Sequence, residues 1–136
     1  MIRNILLAGV TALVPTLGSA APIGSFSDLV VFGDSLSDPG NIFASTLGTT
    51  PDPDLYPNGQ FTNGDTWASQ LGATFGSGTN FAFGGARAVA NPEPAGGDSD
   101  DNTDNIPDFA AQRSLFGLQS PSLGPNPLTA VWFGGN

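Results

Sequence analysis

Three apolar runs share one form along this chain: each is short and ends in glycine and polar residues. The first is Leu29-Val30-Val31-Phe32, which runs into Gly33-Asp34-Ser35-Leu36-Ser37-Asp38-Pro39-Gly40-Asn41. β-Branched and aromatic residues bounded by glycine predict a buried strand. Gly33 then permits a sharp turn, and Asp34, Ser35, Ser37 and Asp38 can bond local amides or cap the next element. The second run, Asn80-Phe81-Ala82-Phe83, meets Gly84-Gly85, and the third, Pro127 to Phe133, meets Gly134-Gly135-Asn136.

Helical signals lie between these strands. Asn41 to Thr46 predicts a brief helix, with Pro39 and Gly40 at its start and Gly48 beyond its end. A polar loop from 49 to 63 comes next, broken by Pro51, Pro53, Pro57, Gly59 and Asn63-Gly64. Asp65 or Thr66 can cap a second helix with Trp67, Ala68 and Leu71 on its face and Gly72 at its end. From Asp108, apolar residues between Phe109 and Phe116 recur near helical spacing, with Gly117 as the stop. Strand alternating with helix predicts an α/β fold with a parallel sheet and right-handed crossovers. Ser35 then lies at the carboxyl end of a strand, where open α/β sheets hold their ligand chemistry.

Composition narrows the function classes. With 136 residues and 39% apolar content, the chain can bury one modest core. Three basic against 12 acidic residues make the chain a poor candidate for nucleic acid or anionic membrane surfaces, because the field repels phosphates, and no nucleic-acid partner is expected. There is no cysteine, hence no disulfide or thiolate metal site, and no histidine.

The N-terminus is read as a signal peptide over residues 1–20. It has Arg3, an apolar stretch from Ile5 to Leu17, and the small residues Gly18-Ser19-Ala20. Cleavage after Ala21 would put Pro22 next, so the cut is placed after Ala20. A membrane anchor is the competing reading, but the run is short and Pro15 interrupts it. The expectation is an exported protein, secreted or periplasmic, with no stable membrane span after cleavage.

An acidic stretch, Asp98-Ser99-Asp100-Asp101-Asn102-Thr103-Asp104, reads as a solvated loop. Its spacing of Asp98, Asp100, Asn102 and Asp104 also fits half of a calcium loop, since hard cations take several carboxylate oxygens on one turn. Thr103 stands where such loops use glycine, and no glutamate closes the site. No other cofactor is implied.

The stretch Phe32 to Asn41 resembles the nucleophile block of the SGNH, or GDSL, family of secreted esterases and lipases. Pro57-Asn58-Gly59-Gln60-Phe61-Thr62-Asn63-Gly64 is similar to that family's Gly-Arg-Phe-Ser-Asn-Gly loop, with Gln60 in place of the arginine. Asn80-Phe81-Ala82-Phe83-Gly84-Gly85-Ala86 resembles its second block, and Trp132-Phe133-Gly134-Gly135-Asn136 the start of its third, Gly-x-Asn-Asp.

The resemblance implies a three-layer α/β/α flavodoxin-like fold of strand order 2-1-3-4-5. Residues 21–136 would be the N-terminal part of the domain, with only its first three strands present and the Val30 strand central. It implies that Ser35 is a nucleophile for acyl transfer to water. The oxyanion would be held by the Ser35 amide, the Gly85 amide (Gly84 if the register is off by one) and the Asn136 side chain. The substrate would be a small-molecule, lipid or carbohydrate ester.

In that family an Asp-x-x-His block supplies the base, and these 136 residues hold no histidine. The chain alone is therefore expected to be inactive, with the His and Asp partners lying beyond residue 136. The alternative is a non-catalytic binding or structural fragment, with calcium held by the acidic loop 98–108.

Overall fold

The computed structural model describes residues 26–73, 78–89 and 106–134. It is a small α/β arrangement built on two parallel strands, β1 (Asp28–Gly33) and β2 (Pro127–Trp132). The helices are α1 (Asn41–Ser45), α2 (Trp67–Gln70) and α3 (Phe109–Gln119). The register runs from Asp28 opposite Pro127 to Gly33 opposite Trp132. The signal peptide expected over 1–20 lies outside the described residues. Among the described residues no helix is long and apolar enough to cross a membrane.

β1 is hydrogen-bonded along both edges. Opposite β2, the Val31 N–H donates to the Thr79 carbonyl at 2.8 Å, Phe81 N–H to Val31 at 2.8 Å, and Phe83 N–H to Gly33 at 3.1 Å. The strand expected near Phe81 is thus reduced to one parallel bridge, between Val31 and Asn80. Its outward groups are used locally: the Asn41 side chain donates to the Asn80 and Ala82 carbonyls, and Ala82 N–H donates to Asn80 Oδ1. The segment then turns at Gly84-Gly85 before a longer ladder can form.

Each face of β1 carries its own apolar cluster, as a strand buried on both sides requires. Val30 and Phe32 pack with Phe81 beneath Phe109, Leu115 and Phe116. Phe32 stacks on Phe81 at 5.6 Å and meets Phe109 and Phe116 edge-on at 5.7 and 5.9 Å. Such pairs add about 0.5–1.5 kcal/mol each beyond the area they bury. On the other face, Val31 packs with Ala68 and Ala73 against Leu29, Trp67 and Ala130.

Several boundaries differ from expectation. Of the two expected caps of α2, Thr66 is the one used, its hydroxyl accepting from Ser69 N–H at 3.2 Å; the other boundaries depart further. Leu71, expected on the buried face, is 53% exposed because α2 ends at Gln70. α3 runs through Gly117 to Gln119 and stops at Ser120, whose φ is +42°. A glycine inside a helix costs only about 1 kcal/mol relative to alanine, and Ser120 closes the last turn by donating to the Gly117 carbonyl at 2.7 Å. The expectation of a buried β2 also fails, since Val131 and Trp132 are 54% and 55% exposed. Among the described residues β2 pairs with β1 alone.

Candidate active site

Two tight turns come after the two paired segments, and they share a construction. After β1, the Ser37 N–H donates to the Asp34 carbonyl at 3.0 Å, making Ser35 and Leu36 the inner residues of a four-residue turn. After the bridge at Asn80, the Ala86 N–H donates to the Phe83 carbonyl at 3.1 Å, making Gly84 and Gly85 the inner pair.

A buried aspartate takes one inner amide of each turn. Asp34 Oδ1 accepts from Leu36 N–H at 3.1 Å, while its Oδ2 accepts from Gly134 N–H at 3.0 Å beyond β2. Asp38 Oδ2 accepts from Gly84 N–H at 2.7 Å. The other inner amide is left over each time: among the described residues, neither the Ser35 N–H nor the Gly85 N–H has a hydrogen-bond partner. The Ser35 hydroxyl has none either, and both residues are half-buried. Of the two glycines in the sequence-based reading, Gly85 is therefore the one with a free donor.

Glycine is needed at 85 because its φ is +86° and a Cβ there would come within 2.6 Å of Ile106 Cδ1. Gly33, the last residue before the serine turn, is needed for a different reason: a Cβ would sit 2.7 Å from the Trp132 carbonyl oxygen.

Behind the turns lies a polar network that local sequence patterns offer little reason to expect. Ser37 is buried, its Oγ accepting from the Trp67 indole at 3.1 Å and its carbonyl from the Asn80 side chain at 3.0 Å. Gln112, fully buried on α3, accepts from Gly33 N–H at 3.0 Å and donates to the carbonyls of Gly33 at 2.9 Å and Pro107 at 2.8 Å. Asp108 accepts from Arg87 N–H at 2.7 Å, joining the start of α3 to the segment after Gly85. Gln60 donates to the Pro39 carbonyl at 3.2 Å, and its buried Oε1 has no partner among the described residues. Burial pushes the Asp38 carboxyl above its ordinary value, against the pull of N–H donors from Gly84, Gly40, Ile42 and Asn41.

Asn136, the third expected oxyanion donor, lies outside the described residues, as do Asp98, Asp100, Asn102 and Asp104 of the expected calcium loop. A cavity of about 550 Å³, lined by Phe26, Leu29, Trp67, Leu71, Leu128 and Ala130, lies toward the N-terminal end of β1, away from Ser35.

No protein-family model matches the chain. It is similar to a phosphatidylcholine-sterol acyltransferase of Aeromonas hydrophila, 34% identical over 132 residues that make up 96% of this chain and 38% of that protein. It is also similar to the secreted effector protein SseJ of Salmonella typhimurium, 40% identical over 72 residues, or 50% of this chain and 18% of that protein. The chain thus spans well under half the length of either relative.

Proposed function

We propose that residues 21–136 are the N-terminal part of an exported SGNH-type serine esterase or acyltransferase, with the three-layer α/β/α fold of that family. The observation that carries this reading is the pair of free amides, at Ser35 and Gly85, on turns that end adjacent segments of one sheet. Amides held ready at one edge suit an oxyanion, and each such donor is worth about 2.7–4 kcal/mol of transition-state stabilisation. The similarity to a named acyltransferase over 96% of the chain supports the same chemistry. Export is supported by the apolar leader over 1–20 and by the likeness to a protein named as a secreted effector.

In this reading Ser35 Oγ attacks the carbonyl carbon of an ester as a base removes its proton. The carbonyl oxygen becomes an oxyanion facing the Ser35 and Gly85 amides and the Asn136 side chain. The tetrahedral adduct expels the alcohol, which takes the proton, and leaves an acyl-serine. Water or the hydroxyl of an acceptor alcohol then attacks, is deprotonated, and releases Ser35. The base is a histidine supplied by sequence outside these 136 residues. A lipid ester is the proposed donor, by likeness to the Aeromonas protein's name.

The test uses a gene product that carries these residues together with a histidine-bearing C-terminal region. It should hydrolyse p-nitrophenyl butyrate and take a fluorophosphonate label on Ser35, identified by peptide mass. Ser35→Ala should lose both signals. Turnover that survives Ser35→Ala, or a label on another residue, overturns Ser35 as the nucleophile, and a wild type with neither turnover nor label favours a non-catalytic binding domain.

A further inference from the structure

Asp38 is buried, yet its partners come from two separate parts of the chain. Oδ1 accepts from Gly40 N–H at 2.8 Å and Asn41 N–H at 2.6 Å, and Oδ2 accepts from Ile42 N–H at 3.2 Å and Gly84 N–H at 2.7 Å. The first three satisfy the start of α1, whose own cap residue, Gly40, has no side chain to offer. The fourth serves no capping purpose, since Gly84 lies 46 residues away.

We propose that Asp38 is a positioning residue for acyl transfer: by holding the Gly84 amide, it sets the Phe83–Ala86 turn so that the Gly85 amide is the one left for the oxyanion. This rests on the proposed function above.

Three features of the geometry support it. Every group around the carboxylate is an N–H donor, so all four contacts need both oxygens as acceptors. An amide side chain would turn its NH2 against two of those N–H groups, at the α1 side or at the Gly84 side. Nor can the turn shift freely, because a Cβ at Gly84 would run into the Phe61 ring and lie 3.1 Å from Ile42. Gly84 is thereby clamped between Asp38 and Phe61. Finally, Asn41 reaches from the same helix start to the Asn80 and Ala82 carbonyls, so the segment leading into the turn is fixed from the same side. One short helix start therefore sets the approach and the angle of the Gly84-Gly85 pair.

The experiment compares wild type, Asp38→Asn and Asp38→Glu in the same histidine-bearing gene product. Each is measured for kcat and KM on p-nitrophenyl butyrate, for affinity toward a butyl boronic acid that forms a tetrahedral adduct with the serine, and for affinity toward an unreactive butyramide. Asp38→Asn, which displaces the donor without removing it, should lower kcat and boronate affinity by at least about 10-fold and by less than the about 100- to 1,000-fold that loss of a donor costs, while KM and butyramide affinity change less than about twofold. Asp38→Glu, which keeps both acceptor oxygens, should recover part of the loss. Equal losses toward boronate and butyramide overturn the proposal, as does unchanged kcat. Failure of both variants to fold also overturns it, in favour of a purely structural role. Activity that ignores Asp38 but requires Ser35 refutes this inference alone, whereas activity that ignores Ser35 refutes the function on which it rests.

Discussion

Replacing Gln112 by leucine should destabilise this protein more than any surface change. The side-chain amide of Gln112 acts as a third strand edge for Gly33, taking its N–H and sharing its carbonyl with Phe83, and it also serves the Pro107 carbonyl. Leucine has similar volume and no polar atoms. The Gly33 carbonyl would keep its bond from Phe83 at 3.1 Å, and the part-buried Pro107 carbonyl would be rehydrated in part. The Gly33 N–H, whose bond to Gln112 is buried, would be stranded. A stranded buried group costs about 1–3 kcal/mol and a partly wet one less, so the total is roughly 2–4 kcal/mol.

Urea unfolding followed by tryptophan fluorescence reads this directly, because Trp67 and Trp132 lie 6.0 Å apart against the sheet. With a slope of about 1–3 kcal/mol per molar, the midpoint should fall by about 0.7–4 M at unchanged slope. Gln112→Glu separates hydrogen bonding from packing. One carboxylate oxygen can still accept from Gly33, but the other would face two carbonyl oxygens, so the folded state raises that carboxyl's pKa. The stability of this variant should be greatest in acid and should be lost as pH rises through the raised value. A Gln112→Leu midpoint equal to wild type would refute the reasoning, as would a Gln112→Glu variant indifferent to pH.

Gly33→Ala should cost about 1–3 kcal/mol, the usual range for overpacking, because its Cβ would meet the Trp132 backbone rather than a side chain that can swing away; a thermal midpoint matching wild type would count against the close approach. The raised Asp38 carboxyl makes a prediction opposite in sign to that of an ordinary paired aspartate. The folded state holds the proton more tightly than the unfolded chain, so its contribution is present below the ordinary value of 3.8 and is lost as pH rises through the folded value. Wild-type stability should therefore fall relative to Asp38→Asn as pH climbs from about 4, in urea titrations at several pH values; a difference that stays flat would remove burial as the dominant cause.

The elements were legible where local chemistry decides them. The β1 run, the cap before α2 and the third strand came from β-branched residues, a threonine and apolar spacing, all of which act within a few residues. What was not legible depends on partners far along the chain. Gln112 looks like an ordinary helix residue, and its main task, holding both backbone groups of Gly33, lies 79 positions away. Gly84 and Gly85 are equivalent in sequence, and the carboxylate of Asp38 separates them. The stop at Gly117 misled because a glycine on the open side of a helix strains nothing, so α3 continued until Ser120. The strand at Phe81 misled because apolar alternation does not reveal that Asn41 and Asn80 side chains will take its outward backbone groups.

The convergence on Gly33 explains why the serine turn begins there. The next residue's amide, on Asp34, donates to Trp132 at 3.2 Å, so the turn starts from the end of β2. The Gly33 carbonyl accepts from the Phe83 N–H, one residue before the glycine pair, and its own N–H donates to Gln112 Oε1 on α3. Three elements thus fix the Gly33-Asp34 pair, and a turn built directly on a pair held in this way has little freedom of its own. In the function proposed above, Ser35 has to be held near its productive position before substrate arrives, since misplacement by about 1 Å can cost 100-fold in rate. The same geometry requires the residue at 33 to lack a side chain, because any Cβ would occupy the space through which Trp132 and Ser37 approach. The glycine ahead of Ser35 is therefore a packing requirement of the sheet as well as a turn former.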